Sequence, residues 1–243
     1  MRLHSVGIVV ALKAEADAFT AQASRPECLV PLAEGCGLLL SGMGPGAARK
    51  AAQNLVDAGA QALATFGVAG ALEPGLRSGT LLCPQRILDE SGRVYTADPA
   101  WRDRLQQRLT LAALPMITDA TLLSLPEPLS TATAKMAAQS RYAATAVDME
   151  SAAVAAVAAD RGLPFVALRS IIDERDDMLP EALQAAIDPW GRPRPLKLIA
   201  TLVHHPWLLA RLPGLSSRMG KAVRALRAAA AAAGAGLGLP GQG

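Results

Sequence analysis

The sequence predicts a three-layer α/β/α domain built on a central mixed, largely parallel sheet. Three observations carry this expectation. Short β-rich apolar runs alternate with helical patterns from residue 5 to about residue 172. The first run, Ser5-Val6-Gly7-Ile8-Val9-Val10-Ala11-Leu12, is apolar without alternation, as a strand covered on both faces must be. Glycine-rich turns stand where strands hand over to helices. At 243 residues a single core can bury most of the apolar surface.

In chain order, residues Lys13 to Ala23 read as the helix after the first strand, and short strands follow near Cys28 to Pro31 and Gly37 to Ser41. Their brevity is what makes the sheet mixed. Gly42-Met43-Gly44-Pro45-Gly46 opens an alanine-rich helix through Ala58, with proline where a helix start has no N–H to lose. Gln61 to Phe66 is a strand running into the turn Gly67-Val68-Ala69-Gly70, and Thr80 to Leu88 is another strand. Asp98 caps a helix through Arg108, and Met116 to Thr118 is a short strand. Ala144 to Val147 leads into a helix from Met149 to Arg161, and Pro164 to Ile172 is the last strand. It empties into an acidic loop with Asp173, Glu174, Asp176 and Asp177.

Pro189, Pro193 and Pro195 mark a hinge that divides the α/β region, residues 1–188, from a basic helical extension, residues 189–243. The extension carries eight Lys/Arg and no acid, leaving 16 Lys/Arg against 21 Asp/Glu in the region before it. Apolar residues and Trp207 run from Leu196 to Leu212, and Arg218, Lys221, Arg224 and Arg227 share one helix face. Two readings stand side by side: peripheral contact with an anionic membrane surface, or packing on the domain or a dimer interface. Pro206 and Pro213 interrupt the apolar run and argue against one long amphipathic helix. Aromatic residues are only 3% of the chain, so the stacking platforms of a nucleic-acid binder are missing.

The three cysteines, Cys28, Cys36 and Cys83, are odd in number and form no C-x-x-C, which points to a reducing compartment and away from a structural zinc. His4, His204 and His205 are the whole histidine inventory, so no metal is expected and carboxylates must carry acid/base chemistry. The run Val6 to Leu12 is too short for a signal peptide and no long apolar stretch suggests a spanning helix; a cytoplasmic protein is expected, at most peripheral at the inner face of the membrane.

Three carboxylates stand where a strand ends or a helix begins: Glu15, Glu150 and Asp173. In an open α/β sheet the carboxyl ends of strands form the ligand crevice, where such groups converge although they are distant in sequence. Each also reads as an ordinary solvated acid, a helix-dipole partner or a loop cap. The Gly42 to Gly46 loop offers free N–H groups to an anion or a sugar hydroxyl, and equally reads as a tight turn.

Together these segments resemble the purine nucleoside phosphorylase and nucleosidase superfamily, in particular the nucleosidases that release adenine from methylthioadenosine and adenosylhomocysteine. The resemblance covers residues 5–177. It is carried in order by Gly7-Ile8-Val9-Val10-Ala11-Leu12-Lys13-Ala14-Glu15, Ser41-Gly42-Met43-Gly44, Phe66-Gly67-Val68-Ala69-Gly70, Ala146-Val147-Asp148-Met149-Glu150-Ser151-Ala152-Ala153 and Arg169-Ser170-Ile171-Ile172-Asp173. It implies that Asp173 protonates the purine N7, that Glu15 activates a water and that Glu150 grips ribose hydroxyls. Met149 would then pack under the sugar, with Gly44, Gly67 and Val68 lining the pocket. Thr121 and Leu122 would stand where the nucleosidases stack an aromatic ring on adenine. Val68 replaces a serine of the glycine turn and Ile172 the serine before the acid.

These losses of polar and aromatic groups fit a more apolar pocket. With the basic extension, they are similar to the hopanoid-associated phosphorylase branch, which acts on adenosylhopane, a lipid-linked nucleoside. The resemblance also implies a homodimer. Hydrolysis and phosphorolysis both stay open: Glu15 favours water, whereas Arg49, Lys50 and the Gly44 to Gly46 turn offer a place for inorganic phosphate as co-substrate. A binding module that senses a nucleoside without turnover is the competing class, and a basic nucleic-acid binder is the weakest.

Overall fold

A computed structural model describes residues 3–178 and 180–239. In chain order the elements are β1 (Val6–Val10), α1 (Lys13–Phe19), β2 (Leu29–Pro31), β3 (Gly37–Leu40), α2 (Pro45–Asp57) and β4 (Ala62–Ala71). Next come β5 (Leu81–Leu82), β6 (Arg86–Leu88), β7 (Val94–Thr96), α3 (Pro99–Leu111), β8 (Met116–Ile117), β9 (Thr121–Ser124) and α4 (Ala132–Tyr142). The chain continues through β10 (Ala146–Asp148), α5 (Ser151–Asp160), β11 (Phe165–Asp173), α6 (Glu181–Gln184), α7 (Pro195–His204) and α8 (Leu212–Ala233).

The sheet is mixed and it forks at β4. One branch runs β2-β3-β1-β4, with β1 parallel to both β3 and β4 and with β2 antiparallel to β3. Across its other edge β4 pairs in parallel with β11 over most of its length, Phe165 opposite Leu63 through Ile171 opposite Ala69. The far end of β4 turns to β10, which continues through β9 and β6 to β7. The expected glycine turn at Gly67 to Gly70 is therefore not a turn, because these residues continue the strand. The expected strand from Thr80 to Leu88 is broken at Cys83 to Gln85 into β5 and β6, which join different partners, β11 and β9.

Helices cover both faces, as three layers require. On one face α2 and α5 pack Ala48, Ala52, Leu55, Val154 and Val157 against the sheet. On the other, α1, α3 and α8 contribute Ala16, Trp101, Leu105, Leu226 and Ala233 to a second cluster with Ile8, Phe66 and Leu168. Ala-rich helices seat close to the strands because a methyl adds little thickness, which explains how a chain with so few rings fills its core. The predicted Asp98 cap is present, its carboxylate accepting from the Trp101 N–H at 2.7 Å.

The two longer helices of the extension differ in burial, and α8 packs on the domain. Helix α8 packs against α1, α3 and β11, and its end is held by hydrogen bonds from Arg108 Nη1 to the Ala233 carbonyl and from Trp101 Nε1 to the Leu237 carbonyl. Helix α7 buries no residue: Leu196, Ile199 and Val203 are 84%, 60% and 72% exposed. Trp207 and Leu209, in the short 3-10 turn Pro206–Ala210 that follows, are also exposed. No helix of the described residues is long and apolar enough to cross a membrane.

Candidate active site

The carboxyl ends of β1, β3, β4, β10 and β11 meet, and the loops leaving them carry the predicted carboxylates. Glu15, in the first turn of α1, is buried. Its Oε2 accepts the N–H groups of Ala11 and Leu12, both at 2.9 Å, and its Oε1 accepts the Val68 N–H at 2.8 Å. Burial pushes the carboxyl up from its ordinary value, while the Arg169 charge and these three N–H donors pull the other way.

Arg169 is the cation at the centre of this cluster. It is 1% exposed, on β11 opposite Gly67, with Nη2 2.6 Å from Asp148 Oδ2 and 2.9 Å from Ser151 Oγ. The Ser124 hydroxyl binds the other Asp148 oxygen, so the anion at the end of β10 is fixed from both sides. Gly67 makes this approach possible: a Cβ there would overlap Glu15 Oε1 and stand 2.5 Å from Arg169 Nη1.

Glu150 follows β10 at the start of α5 and reaches across to the loop after β3. Its Oε1 accepts the Gly44 N–H at 2.8 Å. Gly44 sits at φ +96° just before Pro45, a backbone conformation that side chains disfavour, and this aims its N–H out of α2 and into the site. Burial first, and then the negative charge of Asp148, raise the Glu150 pKa to about 7, against the pull of Arg169 and the Gly44 N–H. Met149, half-buried beside it, lines a cleft of about 280 Å³ with Arg49, Tyr95, Ser124 and Leu125.

Asp173 ends β11, where the pairing with β4 slips after Ile171 and so turns the carboxylate toward Gly70; a Cβ on Gly70 would lie 3.1 Å from Asp173 Oδ1. Its other oxygen, Oδ2, is bound by Lys135 Nζ. Lys135 comes from α4 and is buried. Burial raises the Asp173 carboxyl above its ordinary range and Lys135 opposes that rise.

Of the residues expected from sequence, Glu15, Gly44, Gly67, Val68, Met149, Glu150 and Asp173 stand at this one end of the sheet. Thr121 and Leu122 do not join them. They open β9 two to three residues before Ser124, with Thr121 Oγ1 accepting from Arg86 Nη2 at 2.9 Å and Leu122 in the core against Ile87. The residues of β9 at the level of the site are Ser124 and, in the loop beyond it, Leu125, because Ser124 is the one registered against Asp148. Lys50, offered for phosphate, instead pairs with Glu27 on the surface, whereas Arg49 does line the cleft.

Sequence reasoning missed Arg169 as a functional group, together with Asp148, Ser124 and Lys135. A charged residue inside a run as apolar as Phe165-Val166-Ala167-Leu168-Arg169 was the available signal for the first, since an arginine there must be paired. Nothing local marked Lys135. A further contributor lies in the proline-marked hinge itself: the Pro189 carbonyl accepts the Met43 N–H at 2.8 Å and the Trp190 carbonyl the Lys13 N–H at 3.0 Å, so this segment straps the loops after β1 and β3. Among the described residues no group of His, Cys, Asp and Glu could hold a metal.

Comparison with known proteins agrees with this architecture. The 5′-methylthioadenosine/S-adenosylhomocysteine nucleosidase of Helicobacter pylori, solved in complex with a substituted pyrrolidin-3-ol, superposes with a TM-score of 0.64 at 18% identity over 84% of this chain and all of that one. Futalosine hydrolase of Helicobacter pylori gives 0.65 at 17% identity, over 93% of this chain and 97% of its own. The Neisseria meningitidis methylthioadenosine/adenosylhomocysteine nucleosidase gives 0.65 at 15% identity, over 93% and 98%. At these identities the likeness establishes the fold. No curated protein matches the sequence. The family model of the phosphorylase superfamily matches residues 6–204, spanning β1 through α7 and every carboxylate described above, and the chain therefore belongs to that superfamily.

Proposed function

We propose that the protein cleaves the N-glycosidic bond of a 5′-substituted adenosine and releases adenine. The observation that carries this reading is the gathering of Glu15 and Glu150 around the buried Arg169, with Asp173 at the end of the same strand, β11. Breaking the bond builds positive charge on the ribose and negative charge on the leaving base, so anions at the sugar and a proton donor at the base both stabilise the transition state. Glu150 accepts from ribose hydroxyls, with Met149 packed beneath the ring. Asp173, its carboxyl raised by burial, donates to N7. Glu15 takes a proton from the attacking water. Its Oε1 sits against Gly67 and Arg169, and a phosphate dianion brought next to this carboxylate would meet a like charge, which favours hydrolysis over phosphorolysis.

The substrate proposed is lipid-linked: adenosylhopane, in hopanoid biosynthesis, handled by a cytoplasmic homodimer that touches the inner face of the membrane. Two features support it. Val68 stands where the resemblance expects a serine, and Leu125 and Met149 give the cleft an apolar side opposite its polar residues. The face of Leu196, Ile199 and Val203, flanked by Arg194, Lys197 and Arg211, also has the make-up of an interfacial helix. The alternative is a methylthioadenosine nucleosidase or a purine nucleoside phosphorylase.

One assay tests the chemistry: incubation with 5′-methylthioadenosine, and with an adenosine bearing a long apolar 5′ group, with and without inorganic phosphate. Free adenine and the sugar product are measured together. The free sugar, still bearing its 5′ substituent, is expected as the product, with the longer substituent preferred. The 1-phosphate of that substituted sugar would replace water by phosphate as nucleophile, and no adenine from any substrate would leave a nucleoside-binding module.

A further inference from the structure

We propose that Lys135 is a positioning residue for base departure, fixing the aim and the acid strength of Asp173. This rests on Asp173 as the N7 proton donor and adds the residue that makes a buried carboxyl fit for that task.

Lys135 is 1% exposed, and its Nζ has three acceptors: Asp173 Oδ2, the Glu174 carbonyl at 2.7 Å and the Asp177 carbonyl at 3.3 Å. These exhaust the three N–H bonds of an ammonium. All three partners lie in the single stretch from Asp173, the last residue of β11, to Asp177, so the ammonium gathers that stretch around the Asp173 carboxylate. Packing alone would be served as well by an aliphatic side chain, since a buried ion pair is no more stabilising than an apolar pair of the same volume.

Geometry then divides the carboxylate's work. Oδ2 belongs to Lys135, while Oδ1 faces Gly70, and Asp173 keeps 29% of its side chain exposed. Other charges near the pair are already committed. Glu174 pairs with Arg77 at 2.7 Å, and Asp177 pairs with Arg218 of α8 at 2.6 Å while its Oδ2 accepts the Glu174 N–H. Asp177 is the anion that works against Lys135 at Asp173. Lys135 is the cation in direct contact with the carboxylate.

The step balances simply. Asp173 takes its proton from solvent through its exposed side and passes it to N7. The C1′–N9 electron pair goes to the base, which leaves as neutral adenine, and the carboxylate that remains is stabilised by the adjacent ammonium. Burial without Lys135 would make a neutral acid too weak to give up its proton; Lys135 restores the acidity. Its removal weakens the acid, so the pH at which activity fails through loss of that proton moves upward.

The experiment uses the full chain, as wild type, K135M and K135R, with two substrates: 5′-methylthioadenosine and its N7-methylated form, whose base leaves without needing a proton. For the unmodified substrate K135M is expected to lose about 10- to 100-fold in kcat, with its alkaline limb shifted to higher pH, and K135R to recover part of the loss. On the N7-methylated substrate wild type and K135M should agree within about twofold. Equal losses on both substrates, no loss on either, or an unmoved limb would overturn the proposal. Should K135M not fold, the wild type still decides: its rate on the unmodified substrate must fall at alkaline pH while that on the N7-methylated one stays level, and parallel profiles reject the role. Absence of turnover by the wild type on both substrates, and on the adenosine bearing a long apolar 5′ group, would instead remove the glycosidic-cleavage reading on which the role rests.

Discussion

Gly67 decides whether Glu15 and Arg169 can occupy the same small space. Both lie where its Cβ would be, and neither is the free end of an exposed side chain that could swing away. Gly67→Ala is therefore expected to separate the acid from the arginine, reducing activity by about 100-fold or more and stability by about 1–3 kcal/mol. Adenine release and a denaturant melt on the same preparation check both. Glu150 leads to a prediction with a sign. Its folded-state pKa of about 7 lies above the ordinary 4.5, so the neutral form is favoured in the fold. The stability tied to that form is complete below the unfolded value and is lost as pH rises through about 7. The melting temperature of the unliganded protein should accordingly fall between pH 5 and pH 8, and Glu150→Gln should flatten that slope. A slope unchanged by the substitution would assign the pH dependence to another group.

At the scale of elements, α7 and α8 differ in what covers them. Helix α8 has its alanine face on the sheet, so α8 is core. Helix α7 has an apolar face at intervals of three and four residues with nothing of the described chain upon it. Replacing Leu196, Ile199 and Val203 together by serine is expected to abolish sedimentation with anionic liposomes while leaving the melt and the cleavage of a soluble adenosine analogue unchanged. Retained sedimentation at low salt would assign the attraction to charge alone.

The order of strands and helices, and the three carboxylates, were legible because burial on both faces leaves continuous apolar runs and because loops after parallel strands concentrate chemistry. Three kinds of feature were not. The extension of β4 through Gly67 to Gly70 depends on β11 and β10 lying alongside, which no local pattern states. The strands β7 and β9 and the helix α4 are short or weakly amphipathic, with tertiary partners supplying their stability. Lys135 meets Asp173 across 38 residues, a pairing that only the packing of α4 creates.

For the molecule as a whole, β4 is the feature with the widest reach. It is the one strand that pairs with β1 near the start of the chain, β10 beyond its middle and β11 after that, and the site opens along its far half. Amides on such a strand are not released by fraying at an edge or by lifting one neighbour, since another neighbour still holds the peptide plane. Their exchange with deuterium should therefore proceed only through unfolding of the whole domain, and the amides of Leu63 to Phe66 should share the slowest rate in the molecule. Val68 N–H, whose partner is the carboxylate of Glu15 rather than a strand alone, should report the site separately. It should slow when a transition-state mimic fills the pocket and quicken in Glu15→Gln. A protein wired in this way keeps its catalytic geometry for as long as it stays folded, and loses the two together.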